Sequence, residues 1–166
     1  MIELPTVELL VAKLSSLGIN LPNGSVRVDG YGDSPALSEA LLALIRLGRK
    51  RAGTGLLWAY EAEGEAIPVT GDIEIVVDHH KEPAIVTRIT NVEVIPYAEV
   101  TAEYASTEGE GDGSLAYWRE AHWAFFSREC KRLGREPDES MLVVCSVFEV
   151  LSVLPDLGAV PSATTK

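Results

Sequence analysis

The run Met141–Val150 is apolar and β-branched, with Glu149 its only charge. It is too long for a turn and too rich in Val and Phe for a comfortable helix, so it reads as a closing central strand on which earlier strands must pair. Those partners are visible upstream. Gly71-Asp72 opens Ile73–Val77, and His79 to Pro83 connects it to a second strand at about Ala84–Thr90. Asn91 marks a bend, after which Val92, Val94 and Ile95 resume an extended pattern until Pro96 stops it. A shorter strand, Val26-Arg27-Val28, sits inside a loop from Asn20 to Asp33 punctuated by Pro22, Asn23-Gly24, Gly30 and Gly32.

Helices alternate with these strands. Thr6 caps and Gly18 ends an amphipathic stretch carrying Leu9, Leu10, Leu14 and Leu17, and Ser34-Pro35 opens a helix over about 35–47 that ends at Gly48. Thr101 begins a short helix broken at Glu108-Gly109-Glu110-Gly111-Asp112-Gly113. Ser114 caps a long helix with Leu115, Trp118, Ala121, Phe125, Phe126 and Leu133, stopped by Gly134. Periodicity leaves Leu56-Leu57-Trp58-Ala59-Tyr60 open between strand and helical turn. The order predicts an α+β fold, a small antiparallel or mixed β-barrel flanked by helices. The expected division is an N-terminal helix and extended segment over 1–32, the barrel domain over 33–154, and a frayed tail over 155–166.

Charge narrows the function. With 14 Lys+Arg against 25 Asp+Glu the net charge is −11, which argues against a sequence-independent duplex-DNA binder. The chain has no apolar run of about 18 residues, and its acidic opening Met1-Ile2-Glu3 is unlike a signal peptide, so no membrane association is expected. Cys130 and Cys145 stand alone, without metal-binding spacing, which suits reduced thiols in a cytoplasmic protein.

Against this acidity, Arg46, Arg49, Lys50 and Arg51 form a local basic patch at the end of the second helix. Cations there complement the helix dipole, but Lys50 and Arg51 lie past Gly48, where that benefit fades. Gly53-Thr54-Gly55 follows and reads as a loop whose glycines admit close approach of an anion or a base, one wall of a site. The acidic segment Glu108–Asp112 fails as an EF-hand, because the twelfth position is Arg119. Taken alone it reads as a solvated connector favouring the next helix N-terminus; Glu110 and Asp112 are the candidate ligands for a loosely held magnesium or manganese. His79 and His80 read as exposed, and His122 faces core or rim. No zinc set and no Gly-x-Ser-x-Gly elbow is present.

Along 33–151 these residues resemble the ASCH domain family of the PUA-like superfamily. The resemblance is carried by Gly48-Arg49-Lys50, the run from Leu57-Trp58-Ala59-Tyr60 to Glu65, Gly71-Asp72, Val92-Glu93-Val94, Thr101–Ala105, Glu108–Asp112, Ser114-Leu115, Tyr117-Trp118-Arg119 and His122. It implies a barrel with a cleft for single-stranded RNA or a modified nucleoside. Similar members are described as metal-assisted ribonucleases and as amidohydrolases that remove an acyl group from the exocyclic amine of cytidine. Residue by residue, the amidohydrolase Lys falls on Lys50 and its Glu on Glu108. The Thr falls on Gly53, with Thr54 adjacent, and in a tight loop a one-residue shift aims the hydroxyl elsewhere.

The expectation is therefore a hydrolase of single-stranded RNA, with cytidine deacylation second and a non-catalytic RNA reader third; a nucleoside sensor is a weaker fourth. Lys50 and Glu108 are the expected catalytic pair. Arg49, Arg51, Gly53, Thr54, Trp58, Tyr60 and Tyr104 are the expected substrate contacts, through charge, backbone approach or base stacking.

Overall fold

The computed structural model describes residues 3–155. Five helices, α1 (Val7–Ser16), α2 (Pro35–Arg46), α3 (Leu57–Glu63), α4 (Ala102–Glu108) and α5 (Leu115–Leu133), flank one sheet. Its strands are β1 (Val26–Gly30), β2 (Ala52–Leu56), β3 (Ile73–Val77), β4 (Pro83–Pro96) and β5 (Leu142–Val153), in the order β1-β3-β4-β5-β2. β1 runs parallel to β3 and every other pairing is antiparallel, giving a mixed sheet curled into a half-barrel. The long apolar run is indeed central: β5 lies between β4 and β2, and it continues past Val150 to Val153.

Helix ends follow their caps. The hydroxyls of Thr6, Ser34, Thr101 and Ser114 each accept the backbone N–H three residues on. Gly109 and Gly134 close α4 and α5 in the left-handed conformation that glycine adopts without a Cβ penalty.

Two sequence expectations change and one open segment is resolved. The segment read as a Gly-rich loop is strand β2, in which Gly53 pairs with Ser146 and Thr54 with Cys145. Leu56–Tyr60 is neither strand nor turn throughout, since β2 ends at Leu56 and α3 starts at Leu57. Asn91 does not divide two strands; β4 runs through it and absorbs the irregularity as a shift of register against β5 between Ile89 and Asn91.

Alternation along the strands sorts the side chains into two faces. Ile73, Ile75 and Val77 of β3 pack with Leu10 and Leu14 of α1, whereas Val76, Ile85, Ile89 and Phe148 pack with Leu42 and Ile45 of α2. A third cluster joins Trp118, Phe126 and Cys130 of α5 to Leu56, Val143, Cys145 and Tyr97. On β2, Ala52, Thr54 and Leu56 share one face and Gly53 and Gly55 the other. No helix among the described residues is long and apolar enough to cross a membrane.

Candidate functional site

Two backbone segments meet behind β2. After Gly48 turns the chain out of α2, the Arg51 N–H donates to the Thr107 carbonyl at 2.9 Å, tying the start of β2 to the last turn of α4. Two residues beyond Thr107, Gly109 has φ +67°, and a Cβ there would overlap the Arg49 carbonyl. Only glycine permits this approach. It brings Lys50, before β2, against Glu108, the last residue of α4.

Lys50 and Glu108 are each 1% exposed. The Lys50 ammonium donates to Glu108 Oε1 at 2.8 Å and to the Ala52 carbonyl at 2.7 Å. Glu108 Oε2 accepts the Thr54 hydroxyl at 2.8 Å and the Trp118 indole N–H, and His122 Nε2 lies 3.1 Å from it. Burial alone would push this carboxyl up, but the Lys50 and His122 charges and hydrogen bonds hold it well below the usual carboxylate range. Glu108 is a fully partnered buried anion, which a low-dielectric site tolerates only with such donors.

His122 stacks on the Trp118 indole, with centroids 4.2 Å apart and planes 14° from parallel. Its Nδ1 is 2.9 Å from the Trp118 carbonyl, which can only accept, so Nδ1 carries a proton. Its Nε2 faces the carboxylates of Glu108 and, at 3.8 Å, Glu110, so that nitrogen carries one as well. Burial acts against the imidazolium, yet Glu108 outweighs it and raises the His122 pKa. Glu110 is partly buried at the rim; burial pushes its carboxyl up against the pull of Lys50.

Thr54 is the half-buried member of the group. The Tyr104 phenol lies 3.0 Å from its hydroxyl and donates its own proton to the Gly53 carbonyl at 2.7 Å. Because the Glu108 carboxylate can only accept, the proton of Thr54 goes to it. The one-residue offset does not turn this hydroxyl away, because in a strand Thr54 shares the face of Ala52, toward α4 and α5.

The other expected residues scatter. Arg49 and Arg51 are exposed, and Arg51 Nε bonds the Gly48 carbonyl. Trp58 packs on the α5 core beneath the Arg135 guanidinium, 4.5 Å from its ring centroid. Gly53 and Gly55 present their bare α-carbons to Tyr31 and Tyr60: a Cβ would sit 2.9 Å from the first ring and 2.7 Å from the second. Asp112 is exposed and accepts the Ser114 N–H at the start of α5, the connector role expected for the whole acidic segment. Glu108 departs from that role by turning inward. His122, Trp118 and Tyr31 were not among the expected site residues; the four-residue spacing of Trp118 and His122 on one helix face was the available signal.

Glu108, Glu110 and His122 can bring one ligand atom each within 4.8 Å of one another, in place of the expected Glu110 and Asp112. They do not fit a magnesium or manganese ion. Glu108 Oε2 already accepts Thr54 and Trp118, both His122 nitrogens carry protons, and the Lys50 ammonium lies 3.8 Å from Glu110 Oε1. A divalent cation would have to displace these protons and sit beside a fixed positive charge.

A family model described as the ASCH domain matches residues 28–152. The chain belongs to the ASCH domain family. This ASCH chain is 35% identical to the ASCH domain from Lactobacillus crispatus JV V101, with a TM-score of 0.74 over 86% of this chain and 92% of that one. It is 31% identical to a protein from Enterococcus faecalis V583, with a TM-score of 0.73 over 89% and 88% of the two chains. None of the curated proteins is detectably similar to it. ASCH domains have a PUA-like fold associated with RNA binding.

Proposed function

We propose that this ASCH protein is a metal-independent amidohydrolase that removes an acyl group from the exocyclic amine of a cytidine-type nucleoside, with Thr54 as nucleophile. The observation that carries the reading is the Thr54 hydroxyl bonded to a Glu108 carboxylate that Lys50 holds ionised and in place. A hydroxyl beside a fixed base, itself oriented by a third group, is the arrangement from which acyl transfer proceeds. RNA cleavage assisted by a metal is the less favoured reading, because the donor set is already filled by protons.

Thr54 Oγ attacks the amide carbonyl carbon as its proton passes to Glu108. Because this carboxylate is a weak base at rest, the proton moves as the C–O bond forms. The His122 imidazolium, through Nε2, gives a proton to the departing exocyclic nitrogen as the C–N bond breaks. Glu108 then returns the transferred proton to His122, 3.1 Å away, leaving an ester on Thr54 and a free amine. Water cleaves the ester and restores the hydroxyl. Lys50 touches no reacting atom in this scheme and is a positioning residue.

The test is to incubate the protein with N4-acetylcytidine in the presence of chelator. Release of cytidine, abolished in Thr54→Val, is the expected result. Single-stranded RNA cleaved only with manganese, and equally well by Thr54→Val, would overturn the reading. RNA binding without turnover of either substrate would favour a reader, using the exposed guanidinium groups of Arg49 and Arg51.

A further inference from the structure

Glu74, in the middle of β3, is 3% exposed and lies outside the Lys50 group. Parallel register places Arg27 beside it and Asp29 beside Val76, and antiparallel register places Thr87 on its other side. Paired positions point the same way, so Arg27, Asp29, Glu74 and Thr87 share the sheet face that α2 covers further along.

This group is short of partners. Arg27 Nη1 is 3.8 Å from Asp72 and its Nε 3.9 Å from Glu74, beyond hydrogen-bond reach, and the buried Nε makes no hydrogen bond. Thr87, 0% exposed, has a hydroxyl with no hydrogen-bond partner among the described residues. Buried polar atoms left in this state ordinarily await something that completes them. Half-buried Asp29 and buried Glu74 interact directly, and desolvation raises both carboxyls, Glu74 up to about 8, so that Glu74 carries a proton at neutral pH. The surroundings fit a nucleoside: Tyr31 lies over Gly53, Tyr60 over Gly55, and the Tyr31 ring centroid is 5.3 Å from Lys50 Nζ, so Tyr31 adjoins both clusters. Helix α3, which carries Tyr60, has no buried residue.

We infer that Arg27, Asp29, Glu74 and Thr87 form the second half of the substrate site, holding a neutral polar edge that sets a hydrogen-bond donor beside an acceptor. A carboxyl pair with one proton offers an O–H and an oxygen acceptor side by side, Thr87 offers both, and Arg27 adds a donor. In a nucleoside that chemistry is found on the pyrimidine edge and on the ribose 2′,3′-diol. A phosphate is disfavoured, since a single guanidinium faces the carboxyls of Asp29, Asp72 and Glu74. The inference rests on the proposed nucleoside reading, whose reacting end is at Thr54.

The experiment is a calorimetric titration of the full chain at pH 7 with cytidine, cytosine and 2′,3′-dideoxycytidine, for wild type, Thr87→Val and Glu74→Gln. In parallel, KM and kcat are measured on N4-acetylcytidine. Thr87→Val exchanges a hydroxyl for a methyl of similar volume, and its melting temperature verifies folding. Cytidine affinity is expected to fall about tenfold in Thr87→Val, with KM raised and kcat kept, and to be retained in Glu74→Gln, whose amide still sets a donor beside an acceptor. Dideoxycytidine binding as well as cytidine assigns the pyrimidine edge; weaker binding assigns the diol. Cytidine bound equally by wild type and Thr87→Val would overturn the inference, the group then holding only water, while deacylation itself stands. Variant-sensitive binding without deacylation overturns the amidohydrolase reading and leaves the subsite. No cytidine binding by wild type overturns both.

Discussion

Glu108 and Glu74 are both glutamates, both almost wholly buried, and in opposite protonation states. Glu108 has Lys50, Thr54, Trp118 and His122 turned toward it and remains an anion far below the usual carboxylate range. Glu74 has an unbonded guanidinium at 3.9 Å and the Asp29 carboxyl for company, and keeps its proton up to about 8. Burial is nearly equal in the two, so the donors decide. One site is complete within the chain; the other leaves Arg27 Nε and the Thr87 hydroxyl without partners among the described residues.

Removing the cation from the complete site should have the largest effect. Lys50→Met leaves Glu108 buried without its counter-charge, expected to cost about 3–5 kcal/mol in the denaturant midpoint, with loss of turnover. Adding Glu108→Gln should recover part of the stability and none of the activity. A Lys50→Met protein as stable as wild type would mean that the other donors suffice and that the contrast between the sites is not one of charge. Thr54→Val takes away one neutral donor instead. Stability should then fall by only about 1 kcal/mol, while deacylation falls on the order of 10³-fold or more. Equal turnover would show that water, not Thr54, attacks.

A smaller effect should follow from crowding the rings beside the open site. In Gly55→Ala the new methyl would sit 2.7 Å from the Tyr60 ring. Because α3 buries no residue, the ring can move aside, and a cost of about 1 kcal/mol is expected, seen as a modest drop in melting temperature. A loss several times larger would mean that Tyr60 is a fixed wall.

The sequence disclosed the two sites unequally. The bounds of α1, α2, α4 and α5 were legible because Thr6, Ser34, Thr101 and Ser114 announce starts and glycines announce stops, whereas α3 has no side-chain cap and its start was not. β2 was hidden because Gly53 and Gly55 imitate a loop; they make room for the rings of Tyr31, well upstream, and Tyr60, in the helix that follows, contacts that appear only once the chain is folded. Lys50 and Glu108 stand 58 positions apart, and no local pattern joins them; the family resemblance did. Composition could not separate Glu108, turned inward by the Gly109 contact, from Asp112, which stays in solvent. Glu74 showed nothing, as one charge inside an apolar strand looks like any solvent-facing residue until the sheet is curled around it.

The finest test of the comparison is pH. Glu74 faces Asp29 and Arg27 from β1, Asp72 from just ahead of its own strand, and Tyr31 and Tyr60 from the covering segments; desolvation raises its pKa from 4.5 to about 8. The folded chain therefore keeps a proton that the unfolded chain releases, so this contribution to stability is full below about pH 4.5 and is lost as pH rises through about 8. Glu108 has the opposite sign: its depressed value stabilises the fold above the ordinary carboxylate range and is lost as pH falls. Glu74→Gln, whose amide stands in for the neutral acid, should flatten the decline in melting temperature between pH 5 and 8 and leave the acid limb untouched. The difference at pH 8 should be on the order of 1–2 kcal/mol in favour of the variant. If the variant declines as steeply as wild type over that range, Glu74 is ionised in the folded protein, and the two glutamates do not differ as their donors require.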